Sequence, residues 1–146
     1  MASVPTTREE ARAWLAKLHG IHDSLEAQQI DSMYAQDATL QFGNAPLVKG
    51  LDAIKAHFGG SYVVTASMEH QLKEYEIVGN RIWHTVEITI RVKGDATNED
   101  IMFRAAAFST ILTEGPDAGK MDRYEIYADH SDLAKKFAAV FADAKE

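Results

Sequence analysis

The chain has 146 residues, enough for one domain with a real core, and 46% apolar with 25% charged residues is an ordinary globular balance. Its formal net charge of −7 argues against nucleic acid or an anionic membrane as partner, because both need a basic face. With no cysteine, a disulfide, a thiolate nucleophile and a cysteine metal site are all excluded. No stretch resembles a signal peptide or approaches the length of a membrane span, so the expectation is a cytoplasmic protein.

Thr6 or Thr7 followed by Glu9 and Glu10 starts a helix, with acids at the positive end of its dipole. Trp14, Leu15, Leu18, Ile21 and Leu25 recur at helical spacing and predict a first helix to about residue 28. Gly20 inside it marks a close packing contact. A short second helix is expected over 30–34 and a strand over 38–42, ending in the turn residues Gly43-Asn44-Ala45-Pro46. Leu51, Ile54 and Phe58 mark a third helix, stopped by Gly59-Gly60. Beyond it the chain is β-rich, with strands over 68–78, 82–93, 101–113 and 121–129. In the second of these His84, Val86, Ile88, Ile90 and Val92 alternate with Thr85, Glu87, Thr89 and Arg91, as in a half-buried antiparallel strand. Leu133, Phe137, Val140 and Phe141 predict an amphipathic closing helix over 133–144. Helices first and a strand meander second give an α+β class: one sheet packed on helices around a concave apolar interior, with all of 1–146 a single domain.

Four segments carry a family resemblance. The run Met33-Tyr34-Ala35-Gln36-Asp37-Ala38-Thr39-Leu40, then Gly50-Leu51-Asp52-Ala53-Ile54, then Met68-Glu69-His70-Gln71-Leu72, and finally Tyr124-Glu125-Ile126-Tyr127-Ala128-Asp129 resemble, in order and spacing, signatures of SnoaL-like proteins of the nuclear transport factor 2 superfold. The likeness covers about residues 10–133. It implies a cone of curved, mostly antiparallel sheet closed by helices, and proton chemistry without a cofactor in an apolar pocket, where pKa values move toward neutrality. The superfold also holds members that only bind or dimerise, so a non-catalytic binding module is the second expectation.

The resemblance places candidate residues one by one. The two acids of ketosteroid isomerases fall on Phe42 and Phe108, which exclude that chemistry and read as pocket wall or core. His70 matches a pocket histidine of scytalone dehydratases, and Asp129 an acid on the last strand of cyclases and epoxide hydrolases. Asp129 reads equally as a cap, and a bulge would bring His130 inward in its place. Glu26 matches a helix-end acid, and His22 lies one turn before it, so the two share a face as a catalytic or a solvated pair; His19 on the same face is expected in solvent. His84 reads as a core histidine or a pocket contact. Ile88 and Tyr127 join Phe42 and Phe108 in shaping the cavity; Tyr34, Tyr62, Tyr127 and Asn44 are candidate donors to a ligand oxygen. Arg104 shares a strand face with Phe108 and either enters the pocket or pairs outside with Glu87 or Asp100; together with Asp129 it supplies two members of an epoxide hydrolase's Asp–Arg–Asp set, with no second aspartate evident. No metal, phosphate-loop or nucleophile-elbow motif is present, and no cofactor is expected. The implied reading is an isomerase, cyclase or dehydratase acting on a small hydrophobic metabolite of polyketide or terpenoid type, in a homodimer formed through the sheet face of Glu87, Thr89 and Arg91.

Overall fold

A computed structural model describes residues 3–144. The Thr7 hydroxyl accepts the backbone N–H of Glu10, whose carboxylate accepts the N–H of Thr7, closing a capping box at the start of α1 (Arg8–Asp23). The helix buries Trp14, Leu15, Leu18 and Ile21, each worth roughly 1.5–3 kcal/mol relative to exposure. It stops about five residues before the expected end, because Leu25 adopts a left-handed φ of 58°. The next turn is a 3₁₀ helix, Ala27–Ser32, in place of a helix over 30–34. Gly20 is no packing contact, since a Cβ there would meet nothing within 4 Å.

Strand β1 (Tyr34–Phe42) begins earlier than expected and pairs with a two-residue strand, β2 (Val48–Lys49), that the sequence does not announce. Helix α2 (Leu51–Tyr62) runs through Gly59-Gly60 instead of stopping there. Two interior glycines cost about 2 kcal/mol of helix propensity; burial of Tyr62 in the last turn offsets this. Strands β3 (Thr65–Val78), β4 (Arg81–Val92), β5 (Asp100–Ile111) and β6 (Met121–Ala128) follow as a meander, and α3 (Ser131–Ala144) closes the chain.

The six strands form one sheet in the order β2-β1-β6-β5-β4-β3, antiparallel except for the β1–β6 pair. Register shifts in β3, near Ala66 and Lys73, are bulges that sharpen its curl. The inner face carries Ile82, Val86, Ile88 and Ile90 of β4, Ala105 and Ala107 of β5, and Tyr124 and Ile126 of β6. Helix α1 lies against it, tied at its middle where the Trp14 indole N–H donates to the Gly119 carbonyl at 2.9 Å. This is the expected α+β cone. No helix among the described residues is long and apolar enough to cross a membrane.

Candidate active site

The concave face and the helices enclose a cavity of about 570 Å³. Its walls are apolar: Met68, Val86, Ile88, Phe103 and Ile126 from the sheet, Phe58 from α2 and Phe137 from α3. The polar side chains in the lining include His22, Tyr62, His70 and Tyr124.

His70 rises from the inner face of β3. Its Nδ1 lies 2.5 Å from Oδ1 of Asp23, the last residue of α1, while Oδ2 accepts the His70 backbone N–H at 3.1 Å. A carboxylate that accepts from Nδ1 fixes the tautomer and leaves Nε2 as a base with an open lone pair. Among the described residues nothing bonds that nitrogen, and the ring lines the cavity. His19 stacks on His70, with ring centroids 4.8 Å apart. The expectation of a solvent-facing His19 is wrong: it is buried, and its Nε2 lies 3.2 Å from Nε2 of the fully buried His84. His84 stands behind the wall as a core residue and does not line the cavity.

His22 is buried between two phenols: Nδ1 is 2.5 Å from the Tyr62 hydroxyl and Nε2 is 2.8 Å from the Tyr34 hydroxyl. Tyr34 is wholly buried and has no other acceptor among the described residues. If Nε2 carried the proton, the Tyr34 O–H would be stranded, at a cost of about 1–3 kcal/mol. The satisfied arrangement has Tyr34 donating to Nε2 and Nδ1–H donating to the Tyr62 oxygen. The Tyr62 proton is then left to point into the cavity.

Charge follows the same design. Burial first, and the charge of His70 second, push the His22 pKa down to about 3 and that of His84 down to about 4; His19 is lowered still further. All three are neutral imidazoles at pH 7. Desolvation raises the pKa values of Tyr34, Tyr62 and Tyr124, so these phenols keep their protons.

Several expected site residues lie elsewhere. The strand ends at Ala128, and Asp129 turns outward, where Oδ1 accepts the Ser131 N–H at 3.0 Å at the start of α3. Hydrogen bonds from the Ser131 side chain and backbone hold its carboxyl below the usual range, so it is an ionised cap. His130 faces the cavity mouth, beside Phe42 at 5.1 Å between rings. Glu26 is exposed beyond the end of α1 and accepts from Gln29, so it forms no pair with His22. Phe108 is on the outer sheet face, edge-on to Tyr127 at 6.3 Å. Tyr127 is likewise outside, 47% exposed and bonded to Glu125. Arg104 is outside as well, 3.5 Å from Glu87. With both Arg104 and Asp129 outside, the Asp–Arg–Asp set of an epoxide hydrolase does not form in the cavity. Phe42, Ile88 and Asn44 do line it, and Tyr34 touches it only through His22. Reading the sequence missed Asp23, the partner of His70, and the cavity-lining Tyr124 and His57, the latter at the mouth. Among the described residues no three His, Asp or Glu side chains are arranged to hold a metal ion.

Solved structures with this arrangement of elements decide the fold. PrhC from Penicillium brasilianum superposes with a TM-score of 0.75 at 12% identity, over 92% of this chain and 91% of that one. The chain has the nuclear transport factor 2-like fold. A SnoaL-like polyketide cyclase from Jannaschia shares this nuclear transport factor 2-like cone at a TM-score of 0.73 and 8% identity, covering 90% of this chain and 95% of its own. An LEH-like epoxide hydrolase from M. tuberculosis does so at 0.67 and 10% identity, covering 90% and 92%. No protein-family model matches the sequence, and no curated protein matches it.

Proposed function

We propose that this nuclear transport factor 2-like protein is a cofactor-independent acid–base isomerase, cyclase or dehydratase acting on a small hydrophobic metabolite of polyketide or terpenoid type. The observation that carries the reading is a carboxylate-oriented imidazole, Asp23–His70, sharing an apolar cavity with a phenol, Tyr62, whose proton is freed by the His22–Tyr34 relay. Nε2 of His70 takes a proton from a carbon next to a substrate carbonyl. The C–H electron pair moves into the carbonyl, and the oxygen that gains charge accepts a hydrogen bond from Tyr62. The imidazolium, held by Asp23, returns the proton to another atom of the same molecule, completing isomerisation or assisting ring closure or loss of water. General acid–base catalysis of this kind contributes about 10²–10⁴-fold, and the apolar lining of the cavity adds to it by strengthening each charge interaction.

Solvent deuterium exchange into an enolisable cyclic ketone such as β-tetralone, followed by proton NMR, tests this. Exchange above the buffer rate, lost in His70→Ala, supports the proposal. Binding of the ketone with no exchange above buffer would reduce the protein to a carrier, the second reading the fold allows.

We also propose a homodimer through the outer sheet face. Trp83, Phe108 and Tyr127 form an aromatic row there, flanked by the Glu87–Arg104 and Arg123–Glu125 pairs, so two copies related by a twofold axis would bring apolar and opposite charges together.

A further inference from the structure

One ring beside His70 has no part in the acid–base reading. His19 stands one turn before Asp23 on α1, so the two side chains share the helix face that meets β3. Asp23 takes the edge of His70, at Nδ1 and at the backbone N–H. His19 lies flat on its face, with 4.8 Å between ring centroids and 12° between the planes. The other nearby ring on α1, His22, is 6.2 Å away, tilted by 41° and taken up by two phenols. His19 is itself held from behind, its Nε2 lying 3.2 Å from Nε2 of His84. That second histidine is fully buried, and its Nδ1 has no partner among the described residues, a cost that a leucine at this position would avoid. Neither His19 nor His84 lines the cavity.

We propose that His19 is a positioning residue that sets the plane of the His70 ring, with His84 as its anchor, so that Nε2 is aimed at the bound molecule by two residues that do not touch it. A hydrogen bond to a carboxylate oxygen tolerates a broad range of approach, and the last side-chain torsion of a histidine is itself broad. Asp23 therefore fixes where the ring sits and which nitrogen carries the proton, but leaves its tilt loose. A flat ring packed on one face removes that freedom, and stacking at this separation is a favoured aromatic geometry. The aim matters because a misplacement of about 1 Å can cost ~10²-fold in rate. The supporting ring is also uncharged: burial lowers the His19 pKa to about 2, so it does not repel the positive charge that His70 gains on taking a proton.

This rests on the acid–base reading for the role of His70, but the order of the ring is measured without the chemistry. His19→Gln keeps a side-chain amide for His84 and removes the flat ring. His19→Phe combined with His84→Leu keeps a flat ring and removes the polar pair, stranding no nitrogen. Two quantities are read in the intact protein. One is the rate of β-tetralone exchange as a function of ketone concentration. The other is the relaxation order parameter of the His70 Cε1–H group in protein carrying ¹³C-histidine, its signal being the one lost in His70→Ala. In His19→Gln the maximal exchange rate should fall about 10-fold with the half-saturating ketone concentration unchanged, and the order parameter should drop. In the double variant both should recover most of the way. Circular dichroism and urea unfolding show whether each protein is folded; should His19→Gln not fold, His19→Leu carries the same prediction. With the wild type active, a His19→Gln protein as fast or as ordered as the wild type overturns the proposal. So does the reverse pattern, with the rate kept in His19→Gln and lost in the double variant, which places the role in the bond to His84; the acid–base proposal stands in either case. No exchange above buffer in the wild type, with the order of His70 still falling in His19→Gln and recovering in the double variant, overturns the chemistry and leaves the support of the ring standing.

Discussion

Asp23 grips His70 twice: one carboxylate oxygen meets the ring at Nδ1, 2.5 Å away, and the other accepts the backbone N–H of the same residue at 3.1 Å. The imidazole is therefore fixed in both position and tautomer by a residue 47 places earlier in the chain.

Asp23→Asn keeps the shape of this contact but lets the amide donate to Nδ1, which moves the ring proton to Nε2 and removes the base. Exchange of β-tetralone should fall by about 10²-fold or more, with the apparent affinity for the ketone little changed. Because Asp23 acts through His70, the double variant Asp23→Asn/His70→Ala should be no slower than His70→Ala alone. Rates from the four proteins of this cycle check it.

Acid should unfold the protein through its histidines. His22 and His84 take up protons near 6.5 when unfolded but only near 3 and 4 in the fold. The unfolded chain thus binds more protons between those values, so stability is full above pH 6.5 and falls as pH drops toward about 4. Each such group contributes a slope of up to about 1.4 kcal/mol per pH unit. Urea midpoints from neutral to mildly acid pH should show the decline, and His84→Leu should flatten it.

Two phenylalanines of equal chemistry should behave in opposite ways. Phe42→Ala removes part of the cavity mouth and should weaken β-methylnaphthalene binding by roughly 10-fold, about 1.4 kcal/mol of lost apolar contact. Phe108→Ala, on the far side of the sheet, should leave that affinity unchanged. Calorimetric titration of the two variants separates the faces.

The outer face makes its own prediction. Sedimentation at micromolar concentration should give twice the chain mass of 16.2 kDa for the wild type and the chain mass for Phe108→Asp, which buries a charge in the proposed contact. A monomeric wild type refutes the homodimer.

Much of the architecture is legible along the chain, because β4 from Thr85 to Val92 alternates between charged or hydroxyl residues and Ile or Val. Strand β5 offers no such contrast. The run Ala105-Ala106-Ala107 is apolar on both parities, and Phe108 looks like a core residue until its place relative to Arg104 is followed: residues 104, 106 and 108 share the outer side. That arginine was the available signal. In β6, Arg123 and Glu125 give the same warning for Tyr127 and Asp129. The acid of the dyad was hidden for another reason. Helical periodicity continued through Leu25 joins His22 to Glu26, whereas the left-handed backbone at Leu25 ends the helix and leaves Asp23 at its tip, facing β3. A non-glycine residue in that conformation has no reliable sequence mark. His70, at a strand start in a family-like motif, needed no such knowledge.

The crowding of imidazoles around His70 has an isotopic consequence. His19, His22 and His84 are each held uncharged by burial and by any positive charge on His70 itself, so a hydron captured by Nε2 finds no second acceptor in the cavity floor. It stays on Nε2 until the bound molecule takes it back or water entering at the mouth exchanges it, so a tritium label carried in by the donor carbon should divide between product and water.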